Sequence, residues 1–186
     1  MKLYIKNMVC NRCKMVVKSE LEKFGLHPLA VELGDVTLAE ELDKEQLKEV
    51  EIGLQSYGFE LIDDKKSRLT EKIKNLIIEL VHTNNNHLIH NLSAYITEQI
   101  GQDYSTLSKL FSQQEGTTIE QYFILQKIER VKELLIYDEL NLNEIAFQLN
   151  YSSTSHLSKQ FKKVTGLTPT LFKQSTTVKR NSLENL

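Results

Sequence analysis

Leu107, Ser108, Lys109, Phe111, Gly116 and Thr118 recur as Leu157, Ser158, Lys159, Phe161, Gly166 and Thr168, each displaced by fifty positions, with Ser105 and Ser155 as a seventh pair. A constant offset held by so many residues means that one small helical unit was used twice. Two copies at a fixed separation imply two contacts with something itself periodic.

Around this repeat the chain has 186 residues, 40% of them hydrophobic and 26% charged, enough for one large or two small cores. No run approaches the roughly 18 apolar residues of a membrane span, and Met1 to Lys6 lacks the apolar core and cleavage site of a signal peptide. The expectation is a cytoplasmic protein with no membrane partner. The only cysteines, Cys10 and Cys13, lie too close together for the disulfide framework of a secreted domain. The net charge of −2 hides an asymmetry: from Tyr151 to Arg180 there are six basic residues, Lys159, Lys162, Lys163, Lys173, Lys179 and Arg180, and no acidic one.

Residues 1–64 have a different pattern from the rest. Lys2 to Val9 alternates as a strand, and Cys13 to Phe24 has helical spacing closed by Gly25. Ala30 to Leu33 and Val36 to Leu38 read as a hairpin meeting at Gly34-Asp35. Asp43 is a candidate N-cap for a helix through Leu47, Val50, Leu54 and Tyr57, and Phe59 to Ile62 supplies a last strand. The order βαββαβ is that of the ferredoxin-like unit. A helix and linker follow over 65–91, with Leu69, Ile73, Leu76, Ile77, Leu80 and Val81 on one face and a break at Asn84-Asn85-Asn86. Helices are then expected over 92–100, 104–114, 119–137, 142–149, 153–164 and 169–174. The expected fold class is α+β: a ferredoxin-like domain over 1–64, and over 92–176 an all-α domain with two helix-turn-helix units joined by a long helix. A tail occupies 177–186.

Ile145-Ala146-Phe147, Asn150-Tyr151-Ser152-Ser153, His156 to Lys159, Phe161-Lys162-Lys163, Gly166 to Pro169 and Phe172-Lys173 resemble the signature of the bacterial AraC/XylS transcription regulators. Asn150 stands where that family usually has Gly, and Asn tolerates the same left-handed backbone. The resemblance implies promoter DNA as partner, with RNA polymerase and a second copy of the chain as further partners. It places the first reading face on Ser105, Thr106, Ser108 and Lys109 and the second on Thr154, Ser155, Ser158 and Lys159, with Lys162 and Lys163 on phosphates. Leu107, Leu110, Phe111, Leu157 and Phe161 are assigned to the core. The helix over 119–137 is the natural spacer: 19 residues at about 1.5 Å each make a rod of roughly 28 Å, near the spacing of successive major grooves. Because the second copy has Lys162 and Lys163 where the first has Ser112 and Gln113, it should supply more of the phosphate affinity.

Met8-Val9-Cys10-Asn11-Arg12-Cys13 lies at the turn from the first strand into the first helix. Cysteines at i and i+3 can point both sulfurs at one ion, and free amides at a helix start, with Arg12 and Lys14 nearby, should favour thiolates, ligands for Cu(I) or Zn(II). The motif inside βαββαβ resembles the heavy-metal-associated, copper-chaperone-like domains. Two further readings of the pair stand beside metal or thiol sensing: a thioredoxin-like redox pair, and an inherited domain that serves only as a dimerisation surface. Two thiolates leave a tetrahedral ion half-ligated, whereas two-coordinate Cu(I) needs nothing more. His82, His87 and His90 flank the Asn-rich break and read first as a polar linker, while His156 reads as a packing or phosphate residue. No nucleophile-and-base constellation, phosphate loop or carboxylate pair stands out, so an enzyme is not expected. Together these readings describe a DNA-binding regulator responsive to a soft metal or thiol-reactive signal through Cys10 and Cys13, the captured ion changing how the small domain packs or dimerises. The alternative is a metal-trafficking protein whose helical domain docks a partner.

Overall fold

The computed structural model describes residues 1–84 and 91–174. The chain divides into two compact units, Met1–Asn75 and Leu76–Leu186. The first is built from β1 (Lys2–Lys6), α1 (Asn11–Lys23), β2 (Pro28–Glu32), β3 (Asp35–Leu38), α2 (Lys44–Gln55) and β4 (Glu60–Leu61), followed by α3 (Lys65–Ile78). Its sheet has the order β2-β3-β1-β4, and every pairing is antiparallel. Alternation in β1 puts Leu3 and Ile5 on the buried face with Val36 and Leu38 of β3, against Val17 and Leu21 of α1 and Val50 and Leu54 of α2.

Several boundaries differ from the sequence expectation for identifiable reasons. β1 ends at Lys6, not Val9, because Asn7 takes φ 71°. Asn7 is held there by its own side-chain amide, which donates to the Gly58 carbonyl at 2.8 Å, and by its backbone N–H, which donates to Glu71 Oε1 at 3.0 Å. The hairpin turns at Leu33-Gly34, one residue earlier than expected, with Glu32 paired to Asp35 and Gly34 at φ 89°. β4 keeps only Glu60 and Leu61, since the Phe59 N–H is taken by the Leu54 carbonyl at the end of α2 at 3.1 Å rather than by β1. Asp43 caps α2 as expected, in a reciprocal capping box with Gln46.

The second unit continues from α3 through a π-helical turn, Glu79–Thr83, into α4 (Leu92–Ile100), α5 (Tyr104–Glu115), α6 (Ile119–Tyr137), α7 (Leu142–Gln148), α8 (Thr154–Thr165) and α9 (Pro169–Gln174). The internal repeat is larger than two helices. α4 and α7, α5 and α8, and α6 and α9 all begin fifty positions apart. Their caps correspond as well: Asn91 and Asn141, Asp103 and Ser153, and Thr118 and Thr168, each side chain accepting from a first-turn N–H. The third helix closes each copy by the same aromatic contact, Phe111 edge-on to Tyr122 at 5.7 Å and Phe161 edge-on to Phe172 at 5.4 Å. α6 is thus the third helix of the first copy at its start. Farther along, its Ile128, Val131, Leu134 and Leu135 enter the core of the second copy with Ile145, Leu149, Leu157 and Phe161.

Candidate nucleic-acid interface

Leu107 and Phe111 on α5, and Leu157 and Phe161 on α8, are four residues apart and fully buried. That anchors one stripe of each helix and turns the opposite stripe outward. Ser105, Thr106 and Lys109 are exposed on α5, as are Ser155, Lys159, Lys162 and Lys163 on α8, while Ser108, Thr154 and Ser158 are half-buried. Leu110, expected in the core, is only half-buried, because it lies off the stripe defined by Leu107 and Phe111. Both helices stop at a left-handed glycine, Gly116 at φ 68° and Gly166 at φ 78°, and Asn150 takes φ 54° in the second turn.

The expected reading residues differ in their freedom. Asp103 Oδ2 accepts the Ser105 hydroxyl at 2.5 Å and the Thr106 N–H at 3.2 Å, so the first face begins with a carboxylate already engaged by its neighbours. The Ser105 hydrogen bond holds the Asp103 carboxyl below the usual carboxylate range. On α8 the Thr154 hydroxyl donates to Asn143 Oδ1 of α7 at 2.8 Å, tying the two helices of the motif together. Ser155 and Lys159 are left outward on the second face.

A set of residues not singled out from the sequence supports α8 from behind. The buried Tyr151 donates its hydroxyl to Gln160 Oε1 at 2.8 Å, and Lys127 Nζ of α6 lies 3.7 Å from the centre of its ring. Burial pushes the Tyr151 phenol up and the Lys127 ammonium down to about 8. His156 packs edge-on against the same ring at 5.4 Å, and its Nδ1 lies 3.0 Å from Ser152 Oγ, so it is a packing residue of the turn. Lys127 left no signal in the sequence, since among Lys127, Arg130 and Lys132 on the same helix nothing in the pattern marks it off from a solvated face.

The two cysteines meet in the first unit. Cys10 is the extended N-cap of α1, Cys13 lies in the first turn, and their sulfurs are 3.6 Å apart. An ion with bonds of about 2.3 Å to both would subtend roughly 103°, near the tetrahedral angle and far from the linear arrangement of two-coordinate Cu(I). As a chelating half-set the pair therefore fits a soft ion. The expectation that Lys14 and Arg12 favour thiolates needs correction, because Lys14 Nζ is engaged by Glu32 Oε2 at 2.6 Å and burial raises the Cys13 thiol. His82 lies with its Nε2 3.0 Å from Gln126 Oε1 of α6 and its Nδ1 3.8 Å from Glu133, so it packs on that helix. His87 and His90 lie outside the described residues. Among the described residues no three His, Cys, Asp or Glu side chains form a metal-holding group, and no helix is long and apolar enough to cross a membrane.

Comparison with known proteins bears on the second unit. A family model described as a helix-turn-helix domain matches residues 96–175. The xylose operon regulatory protein of Escherichia coli K12 is 30% identical over 94 residues, half of this chain and 24% of that protein. The HTH-type transcriptional activator RhaR of Cronobacter sakazakii is 35% identical over 68 residues, 37% of this chain and 24% of that protein. The chain spans about a quarter of the length of these relatives. In fold it is similar to the C-terminal domain of AraT, a response regulator from Geobacillus stearothermophilus, with a TM-score of 0.52 and 21% identity over 64% of this chain and 94% of that one. Residues 96–175 accordingly match a helix-turn-helix domain, the chain is similar in sequence to part of these two regulatory proteins, and its helices repeat at an offset of fifty.

Proposed function

We propose that the protein is a transcription regulator of the AraC type that binds promoter DNA through α5 and α8 and responds to a soft metal ion at Cys10 and Cys13. The observation that carries the DNA reading is the repetition of three helix starts with their caps at one offset of fifty, which gives one chain two equivalent candidate reading helices. Ser105, Thr106, Ser108 and Lys109 then face one major groove and Thr154, Ser155, Ser158 and Lys159 the next, with Lys162 and Lys163 on the backbone. Thr154 serves mainly by holding α7 to α8, given its bond to Asn143.

The strand order and antiparallel pairing of the first unit favour a ferredoxin-like module of the heavy-metal-associated kind. Two sulfurs 3.6 Å apart favour a tetrahedral ion such as Zn(II), the remaining ligands coming from an exogenous thiol or a second copy of the chain. When bound, the ion carries the signal, and coupling is reciprocal: DNA must shift metal affinity by the factor by which metal shifts DNA affinity. Promoter output measured across Cu, Zn and Cd titrations should respond in the wild type and be flat in a Cys10→Ser, Cys13→Ser double variant. An unchanged response rejects the sensor. Loss of operator binding on Lys159→Ala separates the regulator from a metal-trafficking protein, which has no use for that lysine on DNA.

A further inference from the structure

The two copies differ most where they are expected to meet DNA. Over residues 103–120 the charged side chains are Asp103, Lys109, Glu115 and Glu120, a net −2, whereas over the equivalent 153–170 they are Lys159, Lys162 and Lys163, a net +3. Asp103, Glu115 and Glu120 stand where the second copy has Ser153, Thr165 and Thr170. Two of these carboxylates are fixed at one end of the first reading helix. Asp103 accepts from Ser105 and Thr106, and the hydroxyl of Tyr104, in the first turn of α5, donates to Glu120 Oε1 at 2.5 Å. These hydrogen bonds hold both carboxyls below their usual range, so both are ionised at neutral pH. At the matching end of α8 the cap is the neutral Ser153.

Resting on the DNA-binding reading above, we propose that the first helix-turn-helix discriminates and the second supplies affinity, Asp103 being the specificity-determining residue that accepts a hydrogen bond from the exocyclic amino group of a cytosine in the major groove. An ionised carboxylate can only accept, and of the base edges in that groove the cytosine amino group is the usual carboxylate partner. The same charges repel phosphate. A duplex that fails to offer the amino group therefore meets repulsion along the first copy that nothing offsets, while the second copy still binds its phosphates.

The test uses the full chain as wild type, Asp103→Asn, Asp103→Ser and Ser153→Asp. Asn and Ser are good N-caps, so the start of α5 is retained. Each protein selects from a pool of randomised duplexes, and binding to one unrelated duplex is followed across a salt series. The wild type should enrich a cytosine at one position that Asp103→Ser no longer enriches and Asp103→Asn shifts toward adenine. Both Asp103 variants should bind the unrelated duplex about three- to tenfold more tightly at low salt, the gap closing as salt rises. Ser153→Asp should weaken binding to the selected and unrelated duplexes alike. Identical selected sequences and identical unrelated-duplex affinities in the wild type and both Asp103 variants overturn the proposal and leave DNA binding standing. Failure of all four folded proteins, checked by circular dichroism, to bind any duplex overturns both.

Discussion

Lys127 illustrates how much a single buried charge can carry. It is 7% exposed, packed against the rings of Tyr151 and Phe123, and its ammonium falls from the ordinary 10.5 to about 8 because burial disfavours the charged form. Between these values the unfolded chain holds a proton that the folded one has released. Stability from this group therefore rises as pH climbs from about 8 toward 10.5, and it is withheld at neutral pH by about 3 kcal/mol. Melting curves at pH 7 and pH 9.5 should show a rise for the wild type relative to Lys127→Met, whose stability lacks that component. Gly34 is a second residue with a sharp expectation. It sits at φ 89°, and a Cβ there would lie 2.4 Å from the Asn75 side-chain nitrogen. Gly34→Ala should cost about 1–2 kcal/mol from backbone strain alone, with the displacement of Asn75 adding to it, measured by urea unfolding of the full chain.

Among the elements, α8 concentrates both the core and the charge of its copy. Phe161 is fully buried against Phe172, so Phe161→Ala should cost about 3–5 kcal/mol and unfold or severely loosen the second copy, visible as a lower thermal midpoint. Lys162 and Lys163 lie exposed in the last turn of α8, where they also oppose the negative end of the helix dipole. Replacing both by alanine should reduce the slope of log affinity against log salt by about 2 while leaving the selected sequence unchanged. Helix positions were legible because apolar spacing and caps such as Asp43 act locally. The aromatic pairs closing each copy were not, since Tyr122 and Phe172 keep the fifty-residue offset without being identical, and only the structure shows that each packs edge-on against Phe111 or Phe161. The turn at Leu33-Gly34 escaped for a related reason: cross-strand pairing of Glu32 with Asp35 chooses it over the neighbouring Gly34-Asp35.

For the molecule as a whole, the cysteines are the place where chemistry and fold separate most cleanly. Cys10 is exposed and Cys13 half-buried, so on the proposed metal reading Zn(II) should raise the melting temperature of the wild type, and the Cys10→Ser, Cys13→Ser variant should keep its metal-free melting temperature and show no such rise. By itself the sequence determined the fifty-residue repeat, most helix positions and the outward placement of Lys109 and Lys159. Periodicity, capping and turn residues act over a few positions and are written in order along the chain. Only the tertiary structure decided that the repeat includes a third helix, that Asp103 engages Ser105, that Lys14 turns to Glu32 rather than to the thiols, and that Lys127 is buried beneath Tyr151. The repeat's third helix and the Lys14 and Lys127 contacts depend on which distant surfaces pack together. Asp103 depends on which of several local acceptors its hydroxyl neighbours choose, a competition that spacing alone does not resolve.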